Sequence, residues 1–138
     1  MRKTVLLLGG LAASLMATSA LAQDINIKMG VLNDRSGIYA DLAGEGSVIA
    51  AQMAVEDFDA AGKGINVEIL SADHQNKPDV ASNIARQWVD DEGVNVILDV
   101  PTSSTALAVN EVTRNANALM LTSTAGTSEL TGSACSPH

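Results

Sequence analysis

Four consecutive hydroxyl residues, Thr102, Ser103, Ser104 and Thr105, lie between a proline and an alanine-rich stretch. The alanine-rich stretch predicts a helix, and the first turn of a helix has unpaired N–H groups and a partial positive charge. A carboxylate can bind there, held by backbone N–H groups and by the hydroxyls of Ser103, Ser104 or Thr105. One of the hydroxyls could instead serve only as the helix N-cap, which contributes about 1 kcal/mol. Because capping needs one hydroxyl and the chain offers four, the pattern favours a ligand site, with capping as the alternative.

Strand-like and helix-like segments alternate along the rest of the chain. Apolar or alternating runs predict β-strands at 25–32, 65–73, 94–100 and 118–123. The segments between them predict three helices, whose apolar faces are Val48, Ala51, Val55 and Phe58, then Val80, Ile84 and Trp88, then Ala108, Val112 and Ala116. Strands that alternate with crossover helices predict an α/β fold, a three-layer parallel sheet with flanking helices.

A polar loop follows each predicted strand. The four loops are 33–44, 72–77, 101–105 and 123–129, and the last two are rich in hydroxyls. In an open parallel sheet, ligands bind beyond the carboxyl ends of the strands, and all four loops fall at that edge. Tyr39, an aromatic residue in the first loop, could pack on a ligand there or close over it.

Two other patterns could carry chemistry, and both are weaker. Gly44 and Gly46 lie between a strand and a helix, but Ile49 stands where a dinucleotide-binding loop needs its third glycine. Asp73 and His74 could form half of a metal or acid–base site, although a solvated loop pair is the simpler interpretation. No GxSxG motif surrounds any serine. We therefore expect no cofactor and no metal.

The N-terminus has the pattern of a signal peptide. Two basic residues precede an apolar run at 5–17, and Ala20 and Ala22 occupy the small-residue positions that signal peptidase needs. The apolar run is shorter than the roughly 20 residues that a membrane-spanning helix requires. We expect a signal peptide at 1–22, cleavage after Ala22, and export of residues 23–138 to a bacterial periplasm.

The composition limits the partners of the chain. The formal net charge is −8, and loss of Arg2 and Lys3 with the signal peptide would make it about −10. No basic stripe is present to neutralise phosphates, so nucleic acid is not an expected partner. The only cysteine, Cys135, lies far from the cleavage site, so we expect no lipid anchor there. In an oxidising compartment it is either a free thiol or a residue that lacks its partner. Because the chain ends in a loop after its fourth strand, we also expect it to be the front of a larger protein.

Four segments between about Ile25 and Pro137 carry a family resemblance. They are IKMGVLNDRSGIYADLAGEGSVIAAQMAVEDF, SADHQNKPDVA, PTSSTALAV and TSTAGTSELTGSACSP. Together they resemble the periplasmic solute-binding proteins of branched-chain amino-acid-type ABC transporters, the leucine/isoleucine/valine-binding protein family. The resemblance implies a type I periplasmic-binding-protein fold, with two α/β lobes joined by a hinge and the solute between them. It also implies that this chain is the first part of lobe 1, without the second lobe.

The resemblance further implies a set of ligand-binding residues, namely Thr102, Ser103, Ser104, Thr124, Ala125, Gly126, Thr127, Tyr39 and Leu42. The serine-rich loop would give hydroxyl and N–H donors to a ligand carboxylate, and Thr124 would offer its carbonyl to a ligand ammonium. The family's threonine position falls on Gly126, with Thr127 one place later. Its aromatic position falls near Leu42 rather than Tyr39. These departures argue against a standard α-amino-acid pose, and the loops are similar to a branch whose ligands include aromatic acids.

The sequence therefore predicts a non-enzymatic, periplasmic substrate-binding component of an ABC transporter, present as its N-terminal portion. Its solute would be a small carboxylate, such as a branched-chain amino acid or an aromatic acid, delivered to a membrane permease. Two alternatives remain open. One is a secreted α/β enzyme that uses Asp73 and His74, and the other is the ligand-sensing ectodomain of a receptor with the same fold.

Overall fold

A computed structural model describes residues 24–138. Within them the chain forms strands and α-helices in the order β1 (Ile25–Asn33), α1 (Ala40–Ala43), α2 (Glu45–Asp57), β2 (Ile65–Asp73), α3 (Pro78–Asp90), β3 (Val96–Asp99), α4 (Ser103–Thr113) and β4 (Leu119–Thr122). Short 3₁₀ turns occupy Ala61–Lys63 and Ser128–Thr131. The strands pair in parallel in the order β2-β1-β3-β4. The α/β parallel sheet predicted from the alternation is therefore confirmed.

The main hydrophobic core lies between one face of the sheet and the helices α3 and α4. Leu32 of β1 and Ile97 of β3 are fully buried there, against Val109 of α4. Trp88 of α3 packs directly over Gly30 of β1, where any Cβ would collide with the indole ring. A glycine at this strand position thus lets the largest side chain of the core lie flat on the sheet.

The opposite face of the sheet is covered in part by α2, which packs against β1 and β2. An apolar cavity of about 260 Å³ remains there, bordered by Met29, Val55 and Val67 among others. Farther along the same face, Leu119 and Leu121 of β4 are 45% and 58% exposed. The fold therefore has helices on both faces of the sheet, but the α2 side is the less completely packed.

Two of the predicted helix faces differ from the structure. Ala116 lies beyond α4, because the chain tightens after Thr113 into turns in which the Ala116 N–H binds the Thr113 carbonyl at 3.1 Å. Phe58, predicted to face the core from α2, lies just past the helix and is 55% exposed. The Lys63 ammonium lies 4.4 Å from the centre of its ring, and the residue also borders the apolar cavity beside α2.

The segment after β4 turns back along α4. Asn110 of α4 donates to the Ala134 carbonyl at 2.8 Å, and the Met120 N–H donates to the His138 carbonyl at 2.8 Å. Cys135 is exposed and unpaired. None of the helices within residues 24–138 has the length and apolar character needed to cross a membrane. The predicted signal peptide, residues 1–22, lies outside the described residues.

Candidate functional site

The carboxyl ends of the four strands meet at one edge of the sheet. In the parallel register, Asn33 lies beside Asp73, Leu32 beside Asp99, and Asp99 beside Thr122. The loops that follow the strands therefore start at the same level and are neighbours. We call this region the carboxyl edge, and it comprises residues 33–44, 73–77, 99–105 and 122–127.

A buried pair of side chains joins the loops of the carboxyl edge. Asn33 is fully buried, and its Nδ2 donates to Asp99 Oδ2 at 3.0 Å and to the Gly44 carbonyl at 2.8 Å. Asp99 also accepts a hydrogen bond from the Ser123 hydroxyl. Asp99 and Val100 have φ values of 78° and 41°, a left-handed conformation that both residue types disfavour. The hydrogen bonds thus hold the loop before α4 in a strained path.

Asp34 shapes the loop after β1. It is fully buried, and its carboxylate accepts hydrogen bonds from the Gly37 N–H at 2.8 Å and the Tyr39 N–H at 3.0 Å. Gly37 lies so close to this carboxylate that a Cβ would not fit. The carboxylate thereby sets the start of α1, where Tyr39 is half-buried and Leu42 is 66% exposed. Both candidates for packing on a ligand therefore lie at one short helix of the carboxyl edge, Tyr39 as its N-cap residue and Leu42 within it.

Asp73 ties the loop after β2 to the loop after β1. Its carboxylate accepts hydrogen bonds from the Ser36 hydroxyl at 2.6 Å, the Arg35 N–H at 3.0 Å and the Gln75 N–H at 2.7 Å. Burial alone would raise the pKa of Asp73, but these hydrogen bonds outweigh it and the pKa is lowered. The carboxylate is therefore held ionised, and its oxygens are engaged by the protein.

His74 is buried, which corrects the interpretation of Asp73 and His74 as a solvated pair. No part of His74 is exposed, and its Nδ1 accepts a hydrogen bond from the Asn76 N–H at 2.9 Å. Nε2 then carries the proton of the neutral ring, and it has no partner in the described part of the chain. Burial lowers the pKa of His74, against the opposing charges of three nearby carboxylates. An enclosed, neutral ring is poorly placed for acid–base work on a substrate, so the arrangement favours a structural role.

Metal binding finds no support in the same region. Among residues 24–138, no three His, Cys, Asp or Glu side chains come together in a way that could hold a metal ion. The carboxylates of Asp34, Asp73 and Asp99 each accept hydrogen bonds from N–H or hydroxyl donors instead.

The four hydroxyls at the start of α4 divide into two pairs. Thr102 occupies the N-cap position but makes no capping bond, and its hydroxyl donates to Asn76 Oδ1 at 2.9 Å. Thr105 is fully buried, and its hydroxyl donates to the Thr102 carbonyl at 2.9 Å. Ser103 is half-buried and Ser104 is exposed, and within residues 24–138 neither hydroxyl has a hydrogen-bond partner. Capping therefore does not explain the hydroxyl run: two hydroxyls bind within the protein and two remain available.

The segment after β4 packs beside the start of α4. The Thr124 hydroxyl donates to the Pro101 carbonyl at 3.0 Å, which places Thr124 at the same junction as the hydroxyl run. Ala125 packs against the core, and Gly126 is exposed with open space around it. Thr127 lies farther on, where its hydroxyl caps the 3₁₀ turn that follows. The structure thus brings Thr124 to the hydroxyl run and gives Thr127 a local capping role.

Sequence reasoning did not single out the polar residues that hold this edge together, which are Asn33, Asp34, Asn76 and Asp99. One signal could have found Asp99. It interrupts an otherwise apolar run, VILDV, and a charged residue in a buried strand requires a hydrogen-bonding partner.

Comparisons with known proteins agree with this architecture. The family model "Periplasmic binding protein" matches residues 26–138. A periplasmic binding protein from Burkholderia mallei is 39% identical, with a TM-score of 0.76 over 83% of this chain and 30% of its own. A branched-chain amino acid ABC transporter periplasmic ligand-binding protein from Burkholderia xenovorans is 44% identical, with a TM-score of 0.75 over 80% of this chain and 29% of its own. A solute-binding protein of an ABC transporter from R. palustris, solved with 4-hydroxybenzoate, is 27% identical, with a TM-score of 0.69 over 77% of this chain and 29% of its own. No curated protein matches the chain.

The parallel sheet and these matches define part of a type I periplasmic-binding-protein fold. The chain belongs to the periplasmic binding protein family, and the resemblance seen in the sequence is confirmed. It spans about 30% of the length of the solved structures that it matches.

Proposed function

We propose that this chain is the N-terminal part of the substrate-binding component of an ABC transporter, and that it binds the carboxylate of a small solute. The observation that carries the proposal is the start of α4, a helix of 11 residues that begins at the carboxyl edge. Its first-turn N–H groups and the unpartnered hydroxyls of Ser103 and Ser104 together form a donor set suited to an anion. Two serine hydroxyls without partners at the positive end of a helix fit a carboxylate better than they fit a neutral ligand.

The solute class follows from this anchor and from similar proteins. One similar protein belongs to a branched-chain amino acid transporter and another was solved with 4-hydroxybenzoate, and both solutes carry a carboxylate. Gly126 has open space around it and lies where the resemblance implies a threonine in the family. We therefore propose an aromatic acid or a branched-chain amino acid as the solute. Tyr39, the N-cap residue of α1, and Leu42 within α1 would pack on its apolar part, and Thr124 would line the site beside α4.

The role we propose is delivery rather than catalysis. The solute would pass from this protein to a membrane permease. Asp73 and His74 support this assignment, because the carboxylate is saturated by donors and the ring is enclosed. We also propose export to the periplasm with cleavage after Ala22, which N-terminal sequencing of the exported protein would test by showing Gln23 as the first residue.

Replacing Ser103 and Ser104 together by alanine should weaken binding of 4-hydroxybenzoate or leucine by about tenfold or more. Because water can replace a lost hydrogen bond at an open surface, we expect the two hydroxyls to contribute about 1.4 kcal/mol together, which is tenfold in Kd. Titrations of the isotope-labelled chain by nuclear magnetic resonance give the Kd directly. Because the carboxyl edge is an open surface in this chain, we expect a wild-type Kd of about 1 mM, equivalent to roughly 4 kcal/mol.

Ser133→Ala is the matched control for this experiment. Ser133 is exposed and lies next to Ala134, which contacts α4 at Asn110, well along the helix from its start. The control should bind as the wild type does. An S103A/S104A variant that folds and keeps the wild-type Kd would show that these hydroxyls do not bind the ligand carboxylate.

A further inference from the structure

The hydroxyl that would ordinarily cap α4 is held away from the helix. Thr102 has the extended backbone of an N-cap residue, with φ −108° and ψ 144°, yet its side chain accepts no hydrogen bond from the first turn. Instead its hydroxyl donates to Asn76 Oδ1 at 2.9 Å and lies 2.7 Å from Thr105 Oγ1. An N-cap hydroxyl ordinarily binds the second or third N–H of the helix, here those of Ser104 and Thr105. Within residues 24–138 both N–H groups are left without a partner.

Asn76 is itself fixed in place by His74. The Asn76 N–H donates to His74 Nδ1 at 2.9 Å, and the His74 N–H donates to the Asn33 carbonyl at 2.9 Å. Gln75 and Asn76 have φ values of 52° and 53°, a left-handed conformation that asparagine tolerates better than most residues. The buried ring and this backbone conformation together aim the Asn76 carboxamide at Thr102.

We propose that Asn76 is a positioning residue that keeps α4 uncapped, so that the N–H groups of its first turn stay free for the ligand carboxylate. The inference rests on the proposed function, because it gives those N–H groups a ligand. A helix capped by Thr102 would have to lose its capping bond each time a solute bound. That loss would weaken binding by about fivefold to tenfold.

The first test is the variant Asn76→Ala. Without the carboxamide, the Thr102 hydroxyl can rotate onto the N–H of Ser104 or Thr105 and cap the helix. We expect N76A to weaken binding of 4-hydroxybenzoate about tenfold while its melting temperature stays within about 2 °C of wild type or rises, because the new cap offsets the lost hydrogen bond. A residue that only supported the fold would lower the melting temperature together with the affinity. Asn83→Ala, at an exposed asparagine of α3, is the matched control and should change neither quantity.

A double-mutant cycle separates release of Thr102 from other effects. Valine has the shape of threonine without its hydroxyl, so Thr102→Val removes the group that would cap the helix. If Asn76 acts through Thr102, N76A should cause less than a twofold further loss of affinity in the T102V background. A tenfold loss in both backgrounds would overturn the proposal, as would wild-type affinity in N76A itself.

Amide hydrogen exchange of the wild-type chain tests the inference without any variant. The N–H group of Ser104, an exposed residue, should exchange freely in the unliganded chain and become protected when 4-hydroxybenzoate is added. Protection in the unliganded chain would show a capped helix and overturn the inference. If 4-hydroxybenzoate and leucine both fail to bind the wild type, the proposed function fails, while exchange at the Ser104 amide still decides whether the helix is uncapped.

Discussion

Buried polar side chains, rather than the exposed ones, hold the candidate site in place. Asn33 and Asp99 lie 66 positions apart in the sequence, and the bond from Arg35 to Asp73 spans 38 positions. No local pattern could pair them, because their contacts depend on the order of the strands in the sheet. The composition of the hydroxyl run was enough to predict a ligand site there. Which of its hydroxyls lack a partner depends in part on Asn76, which lies in a different loop.

The free energy of unfolding should fall as the pH drops below about 6.5. Burial lowers the pKa of His74 from its ordinary 6.5. The groups that face it and oppose this effect are Asp34 in the loop after β1, Asp73 on its own strand and Asp99 of β3. Below pH 6.5 the unfolded chain binds a proton that the native state does not, so acid favours unfolding. The pKa of Asp73 is also lowered, from 3.8, and this predicts a second loss of stability at more acidic pH.

Urea unfolding between pH 5 and pH 7.5 measures the first of these losses. His74→Asn should flatten the dependence, because its side-chain oxygen can replace Nδ1 as the acceptor and does not titrate. His138→Asn, at the other histidine, should retain the wild-type dependence. Equal stability of the wild type at pH 7 and pH 5 would show that His74 does not stay neutral when the chain folds.

The strands and helices could be predicted from the sequence, whereas the close contacts between them could not. Strand β2 was predicted at its observed bounds, 65–73, because the segment is rich in branched apolar residues, which alternate with Asn66 and Glu68 at its start. Helix α4 ends earlier than predicted. The spacing of apolar residues predicted a helix face that extends to Ala116, but the backbone leaves the helix after Thr113. The contact of Trp88 with Gly30 was not visible, because it joins two elements that are far apart in the chain.

Gly30→Ala should destabilise the fold by about 1–3 kcal/mol, the usual effect of overpacking a core. The added Cβ would collide with the Trp88 ring, which is 5% exposed and packed between α3 and the sheet. Gly46→Ala is the matched control, since Gly46 lies in α2 with no atom within 4 Å of its ideal Cβ position. Alanine there should stabilise the chain by roughly 0.5–1 kcal/mol through helix propensity. Urea unfolding gives the free energy of unfolding of both variants. Equal stability of G30A and wild type would contradict the close packing of Trp88 on Gly30.

At the scale of the whole molecule, the proposed function requires an acidic chain to bind an anion. Its formal net charge is −8, so the overall field opposes a carboxylate and attraction must come from local donors. The carboxylates of the carboxyl edge accept hydrogen bonds from N–H and hydroxyl groups of the protein. These donors partly offset the negative charge that would repel a ligand carboxylate. The start of α4 is the place where donors remain available. The chain also spans about 30% of the length of its solved relatives. In the described residues the proposed site is therefore one open surface, the carboxyl edge.

The start of α4 is the proposed binding site for a carboxylate. The most direct measurement is a map of backbone amide shifts in the labelled chain during titration with 4-hydroxybenzoate. We predict saturable shifts that are largest at Ser103, Ser104 and Thr105, and no such shifts with 4-methylphenol, which lacks the carboxylate. Shifts centred instead on the apolar cavity beside α2, near Met29 and Val55, would contradict the account, as would equal shifts with both compounds.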